Sequence, residues 1–453
     1  MSELEKITPR IAIASFVGTA IEFYDLYAYG TAAAIVFGPI FFPASSDAAQ
    51  LLSALATFAI AFIARPIGSA IFGHFGDRRG RKTTLVASLL IMGLCTTLIG
   101  VLPGYSEIGA YAPIALCILR FGQGIGFGGE WAGATLLVIE NAPVHRRAWF
   151  AMFPQLGGPV GFIAANAVFL VLAETLDADQ FRNWGWRLPF LFSAVLVMVG
   201  LYVRLKLVET PIFQKMLDRE APVRVPLGEL FRHYGGRTIL GTLAMVACYA
   251  LFYLSTVFSL GYGTTVLKMS RPDFLALECV AILGMAIATP ISAMLCDRYG
   301  RHPVLLIGLA LTALSGTLFD RMLGSGSVPT VTAFLFVQLF LMGVIFAPMG
   351  AFLPELFPTR VRYTGASITY NLGGILGASF APYIAQSLAN RGGLSWVGAY
   401  LATACVISFG AVLLLGETAG TDLTDEQAAP AGALPPAELT VKTGGGDLPS
   451  SAS

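Results

Sequence analysis

The chain has 453 residues, of which 56% are hydrophobic and only 12% are charged. So few polar side chains cannot coat water-soluble domains of this size, which excludes a soluble enzyme and predicts a protein of the lipid bilayer. The formal net charge is +1, and the apolar part carries no basic block, so composition gives no support to nucleic-acid binding.

Twelve apolar segments are long enough to cross the hydrocarbon core, which takes about 20 residues. They must be helices, because in lipid the backbone hydrogen bonds have to close within each segment. Residues 1–10 do not resemble a cleaved signal peptide, so we expect the first span to be retained. In chain order the spans cover residues 11–37, 51–75, 83–102, 109–139, 148–173, 186–205, 237–267, 273–296, 303–322, 330–354, 363–388 and 396–416.

The spans predict two six-helix bundles, at 11–207 and 237–416, joined by a proline-containing linker at 208–236. Most of the 28 Lys and Arg residues fall in loops on the side of the N terminus. The positive-inside rule therefore places both termini in the cytoplasm of a multi-pass protein of the cell membrane. The tail at 417–453 is rich in small and polar residues and is predicted to be disordered.

Charged residues inside the spans are the first candidates for function, because a charge at mid-bilayer costs at least ~2.5–3.5 kcal/mol. An ion pair of Arg120 with Asp25 or Glu22 is geometrically reasonable. We interpret these side chains as ligands of substrate or proton, the alternative being a purely structural ion pair. The candidates are Glu22 and Asp25 on the first span, Arg65 on the second, and Arg120, Gln123 and Glu130 on the fourth.

Two short turns carry a second group of candidates, "GDRRGR" (Gly76 to Arg81) and "CDRYGR" (Cys296 to Arg301). An Asp at such a turn can accept from the free amides of another helix N terminus, and an arginine can pair with a carboxylate at another helix end. We expect a gate that locks the halves together, the alternative being positive charge on a cytoplasmic loop. The gate candidates are Gly73, Asp77, Arg78, Gly80, Arg81, Glu140, Arg147, Asp297, Arg298, Arg301, Glu355 and Arg362.

The second half of the chain repeats the first. Gln123, Gly128, Glu140, Pro143 and Arg147 recur, at one constant offset, as Gln338, Gly343, Glu355, Pro358 and Arg362. This predicts a parallel repeat, as in many secondary transporters. The counterparts of Arg65, Arg120 and Glu130 are the apolar residues Met285, Leu335 and Ile345. Charges that occur in one half only favour a role in transport chemistry over a role in the common scaffold.

The stretch "RFGQGIGFGGEW" (Arg120 to Trp131) contains a Gly-x-Gly-x-x-Gly pattern. No strand precedes it and the surrounding segment is one apolar helix, so it is not a dinucleotide site. The glycines instead allow close approach of another helix. "GRKT" at Gly80 lacks the order of a phosphate-binding loop, and the six cysteines have neither metal-ligand nor disulfide spacing. We therefore expect no metal, no cofactor and no enzyme activity.

These motifs resemble the major facilitator superfamily, and within it the metabolite:proton symporters. The turn "GHFGDRRGRK" is similar to the loop signature of the superfamily, and "EFYDLYAYG", "ARPIG", "WGWRLPFLFS", "ETPIF" and "PELFPTRVRYTG" are similar to the symporter subgroup. The resemblance implies an all-α fold of twelve transmembrane helices in two bundles, alternating access between them, and a central site coupled to protons. By position, the resemblance indicates Asp25, Arg120 and Glu130 as candidate residues of that central site.

We expect proton-driven uptake of a small organic anion by a monomer, with the carboxylate held by Arg120, together with Arg65, and the proton carried by Asp25 or Glu22. Two alternatives remain open on the sequence. A betaine or proline importer would use the same arginine and add an aromatic surface for the amine. An antiporter that exports small molecules would share the scaffold.

Overall fold

The computed structural model describes residues 3–43, 47–206, 212, 214 and 225–423, and all regular secondary structure in these ranges is helical. The first half contains α1 (Glu3–Ala32), α2 (Gly38–Phe41), α3 (Asp47–Arg79), α4 (Arg81–Val101), α5 (Tyr105–Ile108), α6 (Tyr111–Ile139), α7 (Arg147–Thr175), α8 (Ala178–Asn183) and α9 (Leu188–Leu205). The second half contains α10 (Pro226–Tyr253), α11 (Ser259–Thr265), α12 (Arg271–Tyr299), α13 (Arg301–Ser315), α14 (Val328–Glu355), α15 (Arg362–Gly374), α16 (Ala381–Gly392) and α17 (Leu394–Leu415).

The twelve predicted spans all lie on helices, so the all-α membrane fold is confirmed. Among the described residues, ten helices are long and apolar enough to cross a membrane; the other two predicted spans lie on α6 and on α15 with α16. Some helices run past the apolar spans: α1 begins at Glu3 and α10 at Pro226. A helical backbone can continue into water after its apolar segment ends. Hydropathy therefore predicts where a helix leaves the membrane, but not where the helix itself ends. Most of the predicted linker lies outside the described residues.

The first and seventh spans each contain a short π-helical segment, at Ala33–Phe37 and Leu254–Phe258. Each segment follows the long helix that begins its half, α1 or α10. Single π turns inside α-helices frequently occur at functional sites. The repeat therefore extends to an irregularity of the backbone, not only to side chains.

The packing of the helices follows the repeat. Helix α3 packs along α6 in the first half, and α12 packs along α14 in the second. The halves meet where α7 contacts α12 and α14, and where α3 contacts α15. The space between the halves is bordered by α1, α3, α7, α10, α12, α14 and α15.

The glycines of α6 explain how closely this helix approaches its neighbours. A Cβ atom on Gly124 would collide with the backbone of Ala61 on α3, and one on Gly128 would collide with the carbonyl group of Arg65. On another face of α6, Gly126 lies against the backbone of Ser88 on α4. The predicted role of these glycines in helix packing is confirmed.

The segment after the last span corrects one prediction. Disorder was expected from Glu417, but residues 417–423 are packed against the helix ends that carry the Gly80 and Gly300 turns, which we call the inner end. Glu417 accepts hydrogen bonds from the backbone N–H groups of Arg301 (2.9 Å) and His302 (3.1 Å), and the side chain of Leu423 is buried. Composition predicted disorder because it ignores such helix-capping contacts. Residues 424–453 lie outside the described part.

Candidate functional site

A small cavity lies between the two halves. Its volume is about 40 Å³, which holds roughly three water molecules and is too small for an organic metabolite. Seven aromatic rings and three methionines contribute to the wall, and Arg65 is its one charged residue among those described. The lining side chains are Phe23, Leu26, Tyr27, Arg65, Met245, Cys248, Tyr249, Phe252, Tyr253, Met285, Met342, Phe346 and Tyr370, with Gly158.

Arg65 is held between two aromatic rings. Its Cζ atom lies 4.0 Å from the ring centroid of Phe62 and 3.9 Å from that of Phe127. The residue is 2% exposed, and its Nε and Nη2 atoms have no hydrogen-bond partner in the described part of the chain. A buried guanidinium normally pairs with an acceptor, because leaving a buried charge unpaired is costly. The rings fix its position, and its hydrogen-bonding capacity remains available to an anion.

Arg120 does not line the cavity, which differs from the prediction that placed it at the centre of the site. Its Cζ atom lies 3.8 Å from the ring centroid of Tyr29, and its Nη1 atom donates to the Gln123 side-chain oxygen. Neither Asp25 nor Glu22 forms an ion pair with it in the described structure. The predicted pair is therefore wrong, because the Gln123 side chain takes the acceptor position beside this guanidinium.

Asp25 is nevertheless connected to Arg120 through other side chains. The Thr96 hydroxyl lies 3.0 Å from Asp25 Oδ2, and the Gln123 amide donates to the Thr96 hydroxyl over 2.8 Å. Arg120 then donates to the carbonyl oxygen of the same Gln123. Asp25, Thr96, Gln123 and Arg120 are all buried, so this chain of hydrogen bonds joins α1, α4 and α6 in the interior of the first half.

The remaining acidic candidates differ in their surroundings. Glu130 forms a two-pronged ion pair with Arg204 on α9 and also accepts from the Ser88 hydroxyl at 2.9 Å. Glu22 is fully buried, and neither of its carboxylate oxygens has a hydrogen-bond partner among the described residues. Glu130 is therefore fully paired and outside the cavity lining, whereas Glu22 has no fixed partner.

At the inner end, the two halves are joined by a pair of equivalent contacts. Asp77 accepts from the backbone N–H groups of Tyr363 and Thr364, each at 3.0 Å, and from the Thr364 hydroxyl at 2.7 Å. Asp297 accepts from the backbone N–H groups of Ala148 and Trp149, each at 2.9 Å. Each aspartate thus caps the N terminus of a helix in the other half, where free amides and the helix dipole favour an anion.

Arginine pairs surround these caps in the same symmetric way. Arg81 and Arg301 lie 3.2 Å from Glu140 and Glu355 in their own halves. Across the interface, Arg362 lies 3.4 Å from Glu140 and Arg147 lies 3.9 Å from Glu355. Each glutamate therefore receives one arginine from each half.

Other predicted gate residues have different positions. Arg78 and Arg298 are exposed and take no part in these bonds. Gly80 has a φ of 113°, a backbone conformation that would be strained for any residue with a Cβ atom. Gly73 lies so close to Thr364 that a Cβ atom would be 2.8 Å from its Cα atom. The two glycines thus permit the tight turn and the close helix contact, while the exposed arginines lie outside the contacts just described between the halves.

Sequence reasoning missed several residues of the site. Thr96 and Ser88 carry no signal, because hydroxyls are common in membrane helices and usually bond to their own backbone. Arg204 was not among the candidates, since it lies at the very end of the predicted span 186–205. Its helix carries no carboxylate with which Arg204 could pair. Its pairing with Glu130 can therefore be predicted only when the facing helix is known. Three tyrosines, Tyr249, Tyr253 and Tyr370, also line the cavity.

Comparisons with known proteins agree with this architecture. Residues 11–224 match the model of the Sugar (and other) transporter family, and residues 275–442 match that of the Major Facilitator Superfamily. The structure resembles that of the proton:xylose symporter XylE bound to 6-bromo-6-deoxy-D-glucose, with a TM-score of 0.74, 18% identity, and coverage of 93% of this chain and 99% of that one.

Curated relatives are more similar in sequence. The inner membrane metabolite transport protein YhjE of Escherichia coli (strain K12) is 52% identical over 90% of this chain and 94% of its own length. The shikimate transporter of the same strain is 36% identical over 90% and 94%, and its proline/betaine transporter is 31% identical over 92% and 85%. The chain therefore belongs to the Major Facilitator Superfamily, as a multi-pass membrane transporter related to metabolite transport proteins.

Proposed function

We propose that this transporter takes up a small organic acid together with a proton across the cytoplasmic membrane, by alternating access between its two halves. The observation that carries the proposal is Arg65, a buried guanidinium that has no fixed acceptor and is the one charged residue of the cavity lining among the described residues. A carboxylate is its natural partner, because the planar guanidinium can donate two parallel hydrogen bonds to it. We assign the carboxylate to Arg65 in place of Arg120.

The walls of the cavity support an acid with a flat or cyclic body. Aromatic rings and methionine side chains pack well against such surfaces. With one arginine in the lining, one carboxylate is neutralised, and a second would remain unpaired at a high cost. The relative that is named a shikimate transporter is consistent with this class. The cavity must widen to admit a substrate, which requires the halves to move.

The proton is assigned to Asp25, with Glu22 as the alternative. Both are buried in the first half near the cavity-lining residues Phe23, Leu26 and Tyr27 of the same helix. A substrate carboxylate on Arg65 would reduce the positive potential that this arginine exerts on the acids, so a proton would be retained more easily. Coupling of this kind is reciprocal for binding, so the proton would also favour the substrate. No cofactor is needed, since the proton gradient supplies the free energy.

The inner end supplies the gate in this proposal. Its helix caps and arginine pairs close the path between the cavity and that end, which the positive-inside rule places in the cytoplasm. Opening requires Asp77 and Asp297 to leave the helix N termini of the opposite half. The cavity would then be exposed to the cytoplasm while the outer side closes. We expect a single chain to complete this cycle as a monomer.

A second candidate function is uptake of a zwitterion such as betaine or proline. The observation that favours it is the aromatic lining, because rings such as those of Tyr27, Phe252 and Tyr253 can surround a quaternary amine. Arg65 would bind the carboxylate in this case as well. A relative named a proline/betaine transporter is consistent with it.

Uptake of labelled shikimate, protocatechuate, 2-oxoglutarate, citrate, betaine and proline, with and without a protonophore, tests the proposal. We expect protonophore-sensitive accumulation of a monocarboxylic acid. Arg65→Met, which introduces the residue that the second half carries at Met285, should raise KM by about 30-fold or more, because removing one partner of a buried charge pair costs about 2–5 kcal/mol. Arg65→Lys should retain part of the affinity.

Arg79→Met is the matched control, since this arginine lies on the same helix but is exposed. It should leave uptake unchanged. Accumulation that ignores the protonophore would contradict proton coupling, and unchanged KM in Arg65→Met would contradict the assigned carboxylate site. Accumulation of betaine or proline alone would establish the second candidate.

A further inference from the structure

The Thr96 hydroxyl occupies an unusual position among the buried polar groups. It has one proton and two acceptors within reach, the Asp25 Oδ2 atom at 3.0 Å and the Met92 carbonyl oxygen at 2.9 Å. It also accepts from the Gln123 amide at 2.8 Å. A threonine hydroxyl donates one hydrogen bond and accepts two. The Thr96 hydroxyl can therefore donate its one proton either to the Asp25 carboxylate or to the Met92 carbonyl group, but not fully to both.

We propose that Thr96 is a positioning residue for the proton site, whose hydroxyl turns between Asp25 and Met92 as Asp25 loses and gains its proton. This inference rests on the proposed function, in which Asp25 carries the proton. When Asp25 is ionised, the hydroxyl donates to the carboxylate. When a proton from solvent is bound on Asp25, the acid donates to the Thr96 oxygen, and the hydroxyl donates to the Met92 carbonyl.

The hydrogen bonds that join Asp25 Oδ2, Thr96 and Gln123, which together form the relay, are kept in both states. The Thr96 oxygen has two lone pairs, one for the Gln123 amide and one for the protonated acid. Only one hydroxyl proton rotates, so Gln123 keeps its orientation and its oxygen continues to accept from Arg120. The site can thus load and release a proton without breaking these hydrogen bonds, whose loss in the membrane interior would cost several kcal/mol.

The other groups around Asp25 do not form an equivalent hydrogen bond that could follow its protonation. Helix α7 presents no charged or titratable side chain between Ala148 and Ala173, and the Ser193 hydroxyl of α9 lies beside the carboxylate. In the part of the chain that the structure describes, no charged or titratable side chain forms a hydrogen bond or ion pair with Asp25. Glu22 and Tyr24 on its own helix interact with Asp25 electrostatically, and Arg120 is joined to it only through Gln123 and Thr96. The helices packed against α1 also carry Cys95, Glu130 and Arg204.

Infrared difference spectroscopy of the purified full-length protein tests the inference without any substrate. The band of the protonated Asp25 carboxyl group is identified as the one that Asp25→Asn removes, and its intensity is followed over pH. Thr96→Val keeps the side-chain shape but removes the donor to the ionised form. The proton should then be held more tightly, and the midpoint should move by about one to two pH units to the alkaline side.

Thr96→Ser retains the hydroxyl and should titrate like the wild type. Should Thr96→Val not reach the membrane, Thr96→Cys, whose thiol is a weak donor, should still shift the midpoint in the same direction. An unchanged or acid-shifted midpoint would overturn the inference, and so would an equal shift in Thr96→Ser, which would indicate packing alone. Absence of transport with these shifts intact would contradict the proposed function only.

Discussion

The two helix caps at the inner end differ in strength, and this difference can be measured. Asp77 accepts three hydrogen bonds from the second half, whereas Asp297 accepts two from the first. Water replaces part of each bond when the gate opens, so a net loss of about 1–1.5 kcal/mol per bond is reasonable. Asp77→Ala should then destabilise the closed state by about 3–4.5 kcal/mol, and Asp297→Ala by about 2–3 kcal/mol.

The difference of about 1–1.5 kcal/mol corresponds to roughly tenfold in the equilibrium between closed and open gates. Double electron–electron resonance between spin labels at Arg79 and Tyr299, which are exposed and lie in opposite halves, would report the populations in a background without native cysteines. We expect the population with the longer distance between the two labels to increase in both variants, and to increase most in Asp77→Ala. The reasoning would be refuted if Asp77→Ala kept the wild-type distribution, or if Asp297→Ala opened the gate further.

Two more substitutions separate transport chemistry from structure. Arg120→Leu, which introduces the residue found at the equivalent position of the second half, should insert normally but abolish uptake, because Gln123 and Asp25 lose the end of their hydrogen-bonded chain; normal uptake would assign the relay no role in transport. Glu130→Ala should lower the melting temperature of the purified protein strongly, since an unpaired buried Arg204 costs about 3–5 kcal/mol. The double variant Glu130→Ala/Arg204→Met should recover much of this loss, and a double variant as unstable as the single one would contradict the structural role of the pair.

Much of the fold could be predicted from the sequence because the bilayer imposes a simple rule on it. Apolar segments of sufficient length have to be helices, and a constant offset between halves reveals the repeat. The turn residues Asp77 and Arg81 were also located, since a short turn at a helix end has few ways to use such side chains.

The sequence does not reveal in the same way which face of each helix packs against its neighbours. Depth in the membrane follows from position along a helix, but rotation about the helix axis depends on packing. This is why Arg120 was expected at the substrate and Arg65 was given the secondary place. The same gap concealed Thr96 and the Arg204 partner of Glu130, whose contacts join helices that are distant in sequence.

The packed segment after the last span has a practical consequence for work with this protein. The Arg147 side chain of the first half donates to the Thr421 carbonyl oxygen at 2.6 Å, and the Arg362 side chain donates to the Leu423 carbonyl oxygen at 3.0 Å. A purification tag or fluorescent reporter fused directly after Gly416 would remove these acceptors. Fusions placed beyond Leu423 would preserve them, so the choice of junction determines whether a reporter measures the native transporter or a loosened one.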